Sequence, residues 1–279
     1  MTSTSFIIDF IPCLMLRVLY VSSEIAPFLS TSLVAELVNK LAVDMQKRGV
    51  ELRILVPRFG TISERKHRIH VVVRLSGISI VIGSQVHALA VKSASIPKVR
   101  CQVYFLDNDD FFCRKAVFTD EKNNFFKDNG DRLIFFCQGV LEIIKRLGWA
   151  PDVVHCHDWM TCLVPFYLKT AYKRDPIFSR TKVLYTAYNN VFAGSLGDNF
   201  AERARLEGIG EDSLEGLATA DFQGLMQAGL QHSDMVVRAE VLDKSPLQKL
   251  LPEGSRLIAG DEPGIEAYYA LYHELTGVR

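Results

Sequence analysis

Hydrophobic and polar positions follow two periods along this chain, and the two alternate. Residues 16–22, "LRVLYVS", are an apolar run of strand length. Leu33, Leu37, Leu41 and Met45 then recur at i, i+4, i+8 and i+12, one stripe of a helix over 33–48 that faces a sheet. Gly49 follows, as expected of a residue just past a helix. "ELRILVP" (51–57) is the next strand. Strand, helix and strand with short joins make a βαβ unit, which predicts parallel strands and a right-handed crossover.

Residues 70–107 change character. "HVVVRL", "ISIVI", "VHALAV" and "CQVYFLD" are short β-rich runs, and Gly83-Ser84 between two of them reads as a hairpin turn. They predict an antiparallel insertion at one edge of the sheet. In the charged loop 107–131, Phe111, Phe112, Phe118, Phe125 and Phe126 are expected to pin the chain down. A helix follows over 131–147, with Leu133, Phe136, Val140 and Ile144 on one face. The remaining pattern gives a strand at 152–157, a helix at 159–174, a strand at 181–188, a helix at 222–234, and strands "MVVRA" and "RLIAG" (256–260). Asp261 caps a terminal helix, 262–279, with Ile265, Tyr268, Leu271 and Leu275 on one stripe. The fold class is α/β: a Rossmann-like, mostly parallel open sheet flanked by helices, with a small antiparallel β insertion. Residues 1–14 read as an N-terminal extension, with Met15 as a candidate start, and 15–279 as one domain.

Composition narrows the picture without changing it. Of 279 residues, 48% are hydrophobic and 23% charged, an ordinary globular balance. Lys plus Arg equals Asp plus Glu at 32 each, with no basic stripe, so no nucleic-acid footprint is read. Six cysteines show no CxxC spacing and read as buried free thiols of a reducing compartment. No apolar run has the ~18 residues of a membrane helix. The apolar N-terminus has no preceding positive charge and is broken by Asp9 and Pro12, unlike a signal peptide. A cytoplasmic protein is expected, with no cofactor.

"HCHDW" (155–159) is the most distinctive stretch. On a strand His155 and His157 share a face, and at its carboxyl end they would border the ligand crevice of an open α/β sheet. Imidazoles with Asp158 also suit zinc, but no third and fourth ligand arrive at helpful spacing, so no metal is assigned. The plainest reading is structural: histidines bonded to backbone or to Asp158.

"DVVHCHDWMTCLVPFYLK" closely resembles the starch and glycogen synthases, glucosyltransferases that use a nucleotide-activated glucose. "LRVLYVSSEIAPF", "RGVELRILVPRFG", "VYFLDNDDFFCRKAVFTDE", "NGDRLIFFCQGVLEIIKRLGWAPD" and "GLMQAGLQHSDMVV" resemble further segments of that family in order, over roughly residues 16–240. The resemblance implies the N-terminal, acceptor-side half of a two-domain GT-B enzyme. It implies a substrate site at His155, His157, Asp158, Asn189 and Gly194.

The departures are as informative. The family loop runs Lys-Thr-Gly-Gly-Leu-Ala-Asp-Val. Aligned without a gap, its lysine falls on Ser30, its threonine on Thr31, its glycines on Ser32 and Leu33, and its aspartate on Glu36. Lysine would neutralise phosphate and glycine would admit it to the backbone. The loop is therefore read as a degenerate donor loop, with Leu33 in the phosphate's path. A family histidine becomes Met160, and its His-Asn pair becomes Tyr188-Asn189. Each lost sugar partner is worth about 1–3 kcal/mol. The family's second domain, which holds most of the donor, has no counterpart here, and helix 262–279 is expected to pack back on the first domain as a finished fold. No catalytic residue is assigned. The first expectation is a glucosyl-transfer half-enzyme, for α-1,4-glucan and ADP- or UDP-glucose, inactive unless a separate donor-binding domain completes it. The alternative is a non-catalytic glucan-, sugar- or protein-binding relative with a regulatory role. A metal-dependent hydrolase is a distant third.

Overall fold

The structure is a computed structural model that describes residues 15–97, 99 and 101–277. The expected extension 1–14 and Cys13 lie outside the described residues. Ten strands form the sheet: β1 (Arg17–Ser22), β2 (Glu51–Pro57), β3 (His70–Val71), β4 (Ile78–Ile82), β5 (Gln85–Ser95), β6 (Gln102–Asp107), β7 (Val153–His157), β8 (Lys182–Ala187), β9 (Met235–Arg238) and β10 (Arg256–Leu257). Their order is β10-β9-β8-β7-β1-β2-β6-β5-β3, with β4 paired to β5. From β10 to β6 every pairing is parallel.

Within the parallel part of the sheet, strand numbers rise outward from the β1–β7 pair, through β8, β9 and β10 on one side and through β2 and β6 on the other. That pair is the topological switch point, where successive crossovers leave opposite faces and a crevice opens at the carboxyl ends. The central strands are covered on both faces, and Val18 to Val21 and Val153 to Cys156 are fully buried. Such strands read as near-continuous apolar runs rather than alternating ones.

On one face lie the first helix (Leu33–Lys47) and the terminal helix (Glu262–Thr276), joined by Lys40 Nζ donating to the Gly260 carbonyl at 3.2 Å. The long helix (Asn129–Leu147) covers the other face with helices Leu163–Lys169 and Phe222–Gln231. Ser32 caps the first helix, its hydroxyl accepting from Val34 N. Leu37, Leu41 and Met45 are buried as the stripe requires, but Leu33 is exposed, and Val34 and Val38 complete the apolar face instead. At the other terminus Ile265, Tyr268 and Leu271 are buried and Leu275 half-buried; Tyr272, outside the expected stripe, is fully buried.

Three boundaries differ from the pattern. β6 is a parallel strand of the main sheet, paired with β2, so the antiparallel insertion is β3 to β5 alone. "HVVVRL" keeps two strand residues and then turns as a 3₁₀ segment, Val73–Leu75. The expected helix 159–174 is a 3₁₀ turn followed by Leu163–Lys169 only. A tight turn at Gly83-Ser84 does join β4 to β5, with Gly83 at φ 58° where a Cβ is unfavourable.

Candidate functional site

Ser22 at the end of β1 lies opposite His157 at the end of β7. Beyond them a crevice of about 510 Å³ opens. Its walls are the segment after β1 (Ser23, Glu24, Thr31, Ser32), the loop 116–125, the segment 190–193 after β8, and Trp159 from the turn after β7. The aromatic side is continuous. Trp159 lies 4.6 Å from Phe118 and 4.7 Å from Phe192, ring centre to ring centre. Phe192 in turn stacks on Phe125 at 4.7 Å, nearly parallel. Asn123 and Asn190 add amides. An apolar platform with a few convergent hydrogen-bonding groups suits a neutral ligand with one C–H face and a hydroxyl edge.

Among the described residues Glu24 is the only ionisable one that lines this crevice, and it is almost wholly buried. Its carboxylate accepts from Thr31 N at 2.6 Å, from Thr31 Oγ1 at 2.7 Å and from the Ser32 hydroxyl. Ser30 Oγ donates to Glu36 at 3.1 Å. Thr31 N and the hydroxyls of Ser30, Thr31 and Ser32, just ahead of the first helix, are thus engaged by the chain's own carboxylates, and Val34 N by the Ser32 hydroxyl. Leu33 is exposed and does not line the crevice.

The histidines are not at a rim. Both are completely buried on the face covered by the terminal helix. His155 shares hydrogen bonds of 2.7 Å with Tyr272 OH and with Thr186 Oγ1, and Tyr272 OH donates to Tyr20 OH at 2.9 Å. His157 Nδ1 shares a 2.7 Å bond with Tyr188 OH, while Nε2 has no partner among the described residues. The two imidazoles lie 3.9 Å apart. Burial pushes His155 well below the usual imidazole range and His157 down to about 3, so both are neutral near pH 7.

Asp158 joins the two strand ends. It accepts from Met160 N at 2.7 Å, from Ser23 N at 3.3 Å and from the Ser23 hydroxyl. Burial pushes its carboxyl up to about 7 against those hydrogen bonds. Its φ of 64° with ψ 175° is a strained backbone for a residue with a side chain. Asn190 rather than Asn189 lines the crevice; Asn189 is exposed, its N donating to Glu240 at 2.9 Å. Gly194, at φ 131°, lies against Phe125 in an adjoining groove. Among the described residues no group of three or more His, Cys, Asp or Glu is placed to hold a metal. Cys113 is exposed, unlike the other described thiols.

Sequence reasoning missed Glu24, Asn123, Asn190 and the aromatic wall. Glu24 had a signal, an acidic residue just ahead of a Ser-Thr-Ser helix start. The convergence of Phe118, Phe125 and Phe192 on Trp159 had none.

An open, mostly parallel sheet with its crevice at the β1–β7 switch point defines a Rossmann-like domain of the glycosyltransferase GT-B type. The starch synthase catalytic domain family matches residues 17–240, and the chain belongs to that family. It is 35% identical over 261 residues to a glycogen synthase of Chlorobium luteolum, covering 90% of this chain and 53% of that one. A glycogen synthase of Chlorobium limicola is 37% identical over 221 residues, 79% of this chain and 45% of the relative. The chain thus spans about half the length of these relatives. The fold is similar to the catalytic domain of starch synthase IV from Arabidopsis thaliana bound to ADP and acarbose, with TM-score 0.65, 17% identity, and 80% and 44% of the two chains covered. Among the described residues no helix is long and apolar enough to cross a membrane.

Proposed function

We propose that this domain is the acceptor side of an α-1,4-glucan synthase: its switch-point crevice takes the end of a glucan chain and does not itself take the nucleotide sugar. Glucosyl transfer then requires a donor-binding domain, and the chain by itself is silent. One observation carries this reading. The crevice presents a wide aromatic surface and amides, and among the described residues its only ionisable lining residue is an acid, Glu24. A diphosphate would meet a carboxylate, no lysine or arginine among the described residues, and Thr31 and Ser32 donors already engaged by that carboxylate. A neutral sugar meets no such penalty. The replacement of the family's lysine and glycines by Ser30, Ser32 and Leu33 favours the same reading.

Calorimetry on the pure chain tests it. Maltooligosaccharide should bind, whereas ADP and UDP should not bind more tightly than about millimolar, near −4 kcal/mol. A glucosyl-transfer assay with ADP-glucose or UDP-glucose and glycogen should give no product. Micromolar nucleotide binding, or transfer by the chain alone, would overturn the proposal. A purely binding role without any transferase partner is the second reading; it stands if added donor-binding domain restores no transfer.

A further inference from the structure

Arg132 lies one turn into the long helix and is completely buried. Its two hydrogen bonds go to neutral oxygens: Nη1 donates to the Val117 carbonyl and to Asn129 Oδ1, both at 2.6 Å. Asp128, the acid whose charge acts on it, is paired with Arg114. Nε and Nη2 have no partner among the described residues. Phe59, Phe112 and Phe126 surround the guanidinium with ring centres at 5.2, 5.3 and 5.7 Å. The ring quadrupoles recover part of the desolvation cost, and the position is still an expensive one for a cation. An apolar residue of similar volume would serve packing better.

What an apolar residue cannot do is hold the loop above it. Because the guanidinium takes Asn129 Oδ1, the amide must present Nδ2 to the far side, where it donates to the Phe118 carbonyl at 2.8 Å. One Arg–Asn pair thus bonds two successive carbonyls, those of Val117 and Phe118, the second of which also accepts from Phe126 N at 3.0 Å. Both residues line the crevice, and the Phe118 ring is one of the rings of the aromatic wall that pack against Trp159. The rest of the loop is secured independently, by Arg114 on Asp128 and by Asp120 accepting from Lys122 N and Asn124 N.

We propose that Arg132 is a positioning residue for the crevice, acting through Asn129 to set the Val117–Phe118 backbone and with it the wall on which a sugar stacks. This rests on the crevice being the glucan site.

The test uses two variants in a Trp149→Phe background, where Trp159 is the remaining tryptophan and reports on the wall. Arg132→Met fills the aromatic cage without a charge. Asn129→Asp gives Arg132 a counterion while removing the donor to Phe118. Each is expected to keep or raise the melting temperature. Each should also weaken maltooligosaccharide binding by on the order of tenfold, the size of one lost hydrogen bond's worth of organisation, and change Trp159 emission and acrylamide quenching. Arg132→Lys should recover part of the loss. If both variants bind as the parent does and Trp159 emission is unchanged, the positioning role is wrong. If the parent itself binds no maltooligosaccharide, the glucan reading fails. Trp159 emission then still decides the positioning role, shifted if Arg132 sets the wall and unshifted if it does not. Should Arg132→Met not fold, Asn129→Asp alone decides by the same readouts.

Discussion

Asp158, His155 and His157 are buried ionisable groups on one short strand end, and burial moves them in opposite senses. Each imidazole is held below its unfolded value near 6.5, so the unfolded chain gains two protons that the folded chain refuses. Asp158 is held above its unfolded value near 3.8, so the folded chain keeps one proton that the unfolded chain has lost. Between about pH 4 and pH 6.5 His157 and Asp158 offset one another in bound protons, and His155, held well below its unfolded value, leaves the unfolded state with the excess. Stability should therefore fall on acidification through that window, by at most about 1.4 kcal/mol per pH unit from these groups. From about pH 6.5 to 7 Asp158 alone contributes, and with the opposite sign. Asp158→Asn removes the opposing group and should steepen the acid-side slope by about 1.4 kcal/mol per pH unit. Urea denaturation across pH 4 to 7 reads both slopes, and parallel slopes in parent and variant would contradict the assignment.

At the scale of elements, the terminal helix decides what the sheet's histidine face becomes. Tyr272 reaches from that helix to His155 Nδ1 and Tyr20 OH, while Tyr268 OH lies 3.3 Å from Thr186 Oγ1. Strand residues that would border solvent in an uncovered sheet are thereby turned into core. Tyr272→Phe keeps the ring and removes one hydroxyl, leaving His155 Nδ1 without that partner in a buried site. The expected cost is about 1–3 kcal/mol, read as a lowered thermal midpoint with maltooligosaccharide affinity unchanged, because Tyr272 does not line the crevice. The first helix shows the same dependence. Its pattern alone put Leu33 on the buried stripe, yet Leu33, the first residue of the helix, faces solvent while Val34 and Ala35 beside it are buried.

For the whole molecule, zero formal net charge and a crevice with one engaged carboxylate among its described lining residues would give the proposed neutral ligand no electrostatic steering. Maltooligosaccharide affinity should change less than about twofold between 50 and 500 mM salt, conditions that screen exposed charges strongly. Calorimetry at the two salt concentrations checks this. A steep fall would mean that the ligand is charged or that its site lies in a different part of the molecule.

Local order was legible because it is written locally. The two periods placed β1, the first helix, β2, the long helix and the strand of His155 and His157 close to where they lie, and the order of those segments carried the family. The replacement of the lysine and glycines at Ser30, Ser32 and Leu33 was visible in the same way. Tertiary structure alone decided the environment of each site residue. The sequence put His155 and His157 at a cleft, because strand ends at a switch point border one; the structure buries them beneath a helix whose tyrosine lies 117 positions further along. It likewise made β6 a parallel partner of β2 and brought Phe118, Phe125, Trp159 and Phe192 to one wall. A hydrophobic pattern states which face of an element must leave water. Which distant element covers that face depends on the sheet's order and crossovers, and these are properties of the whole chain.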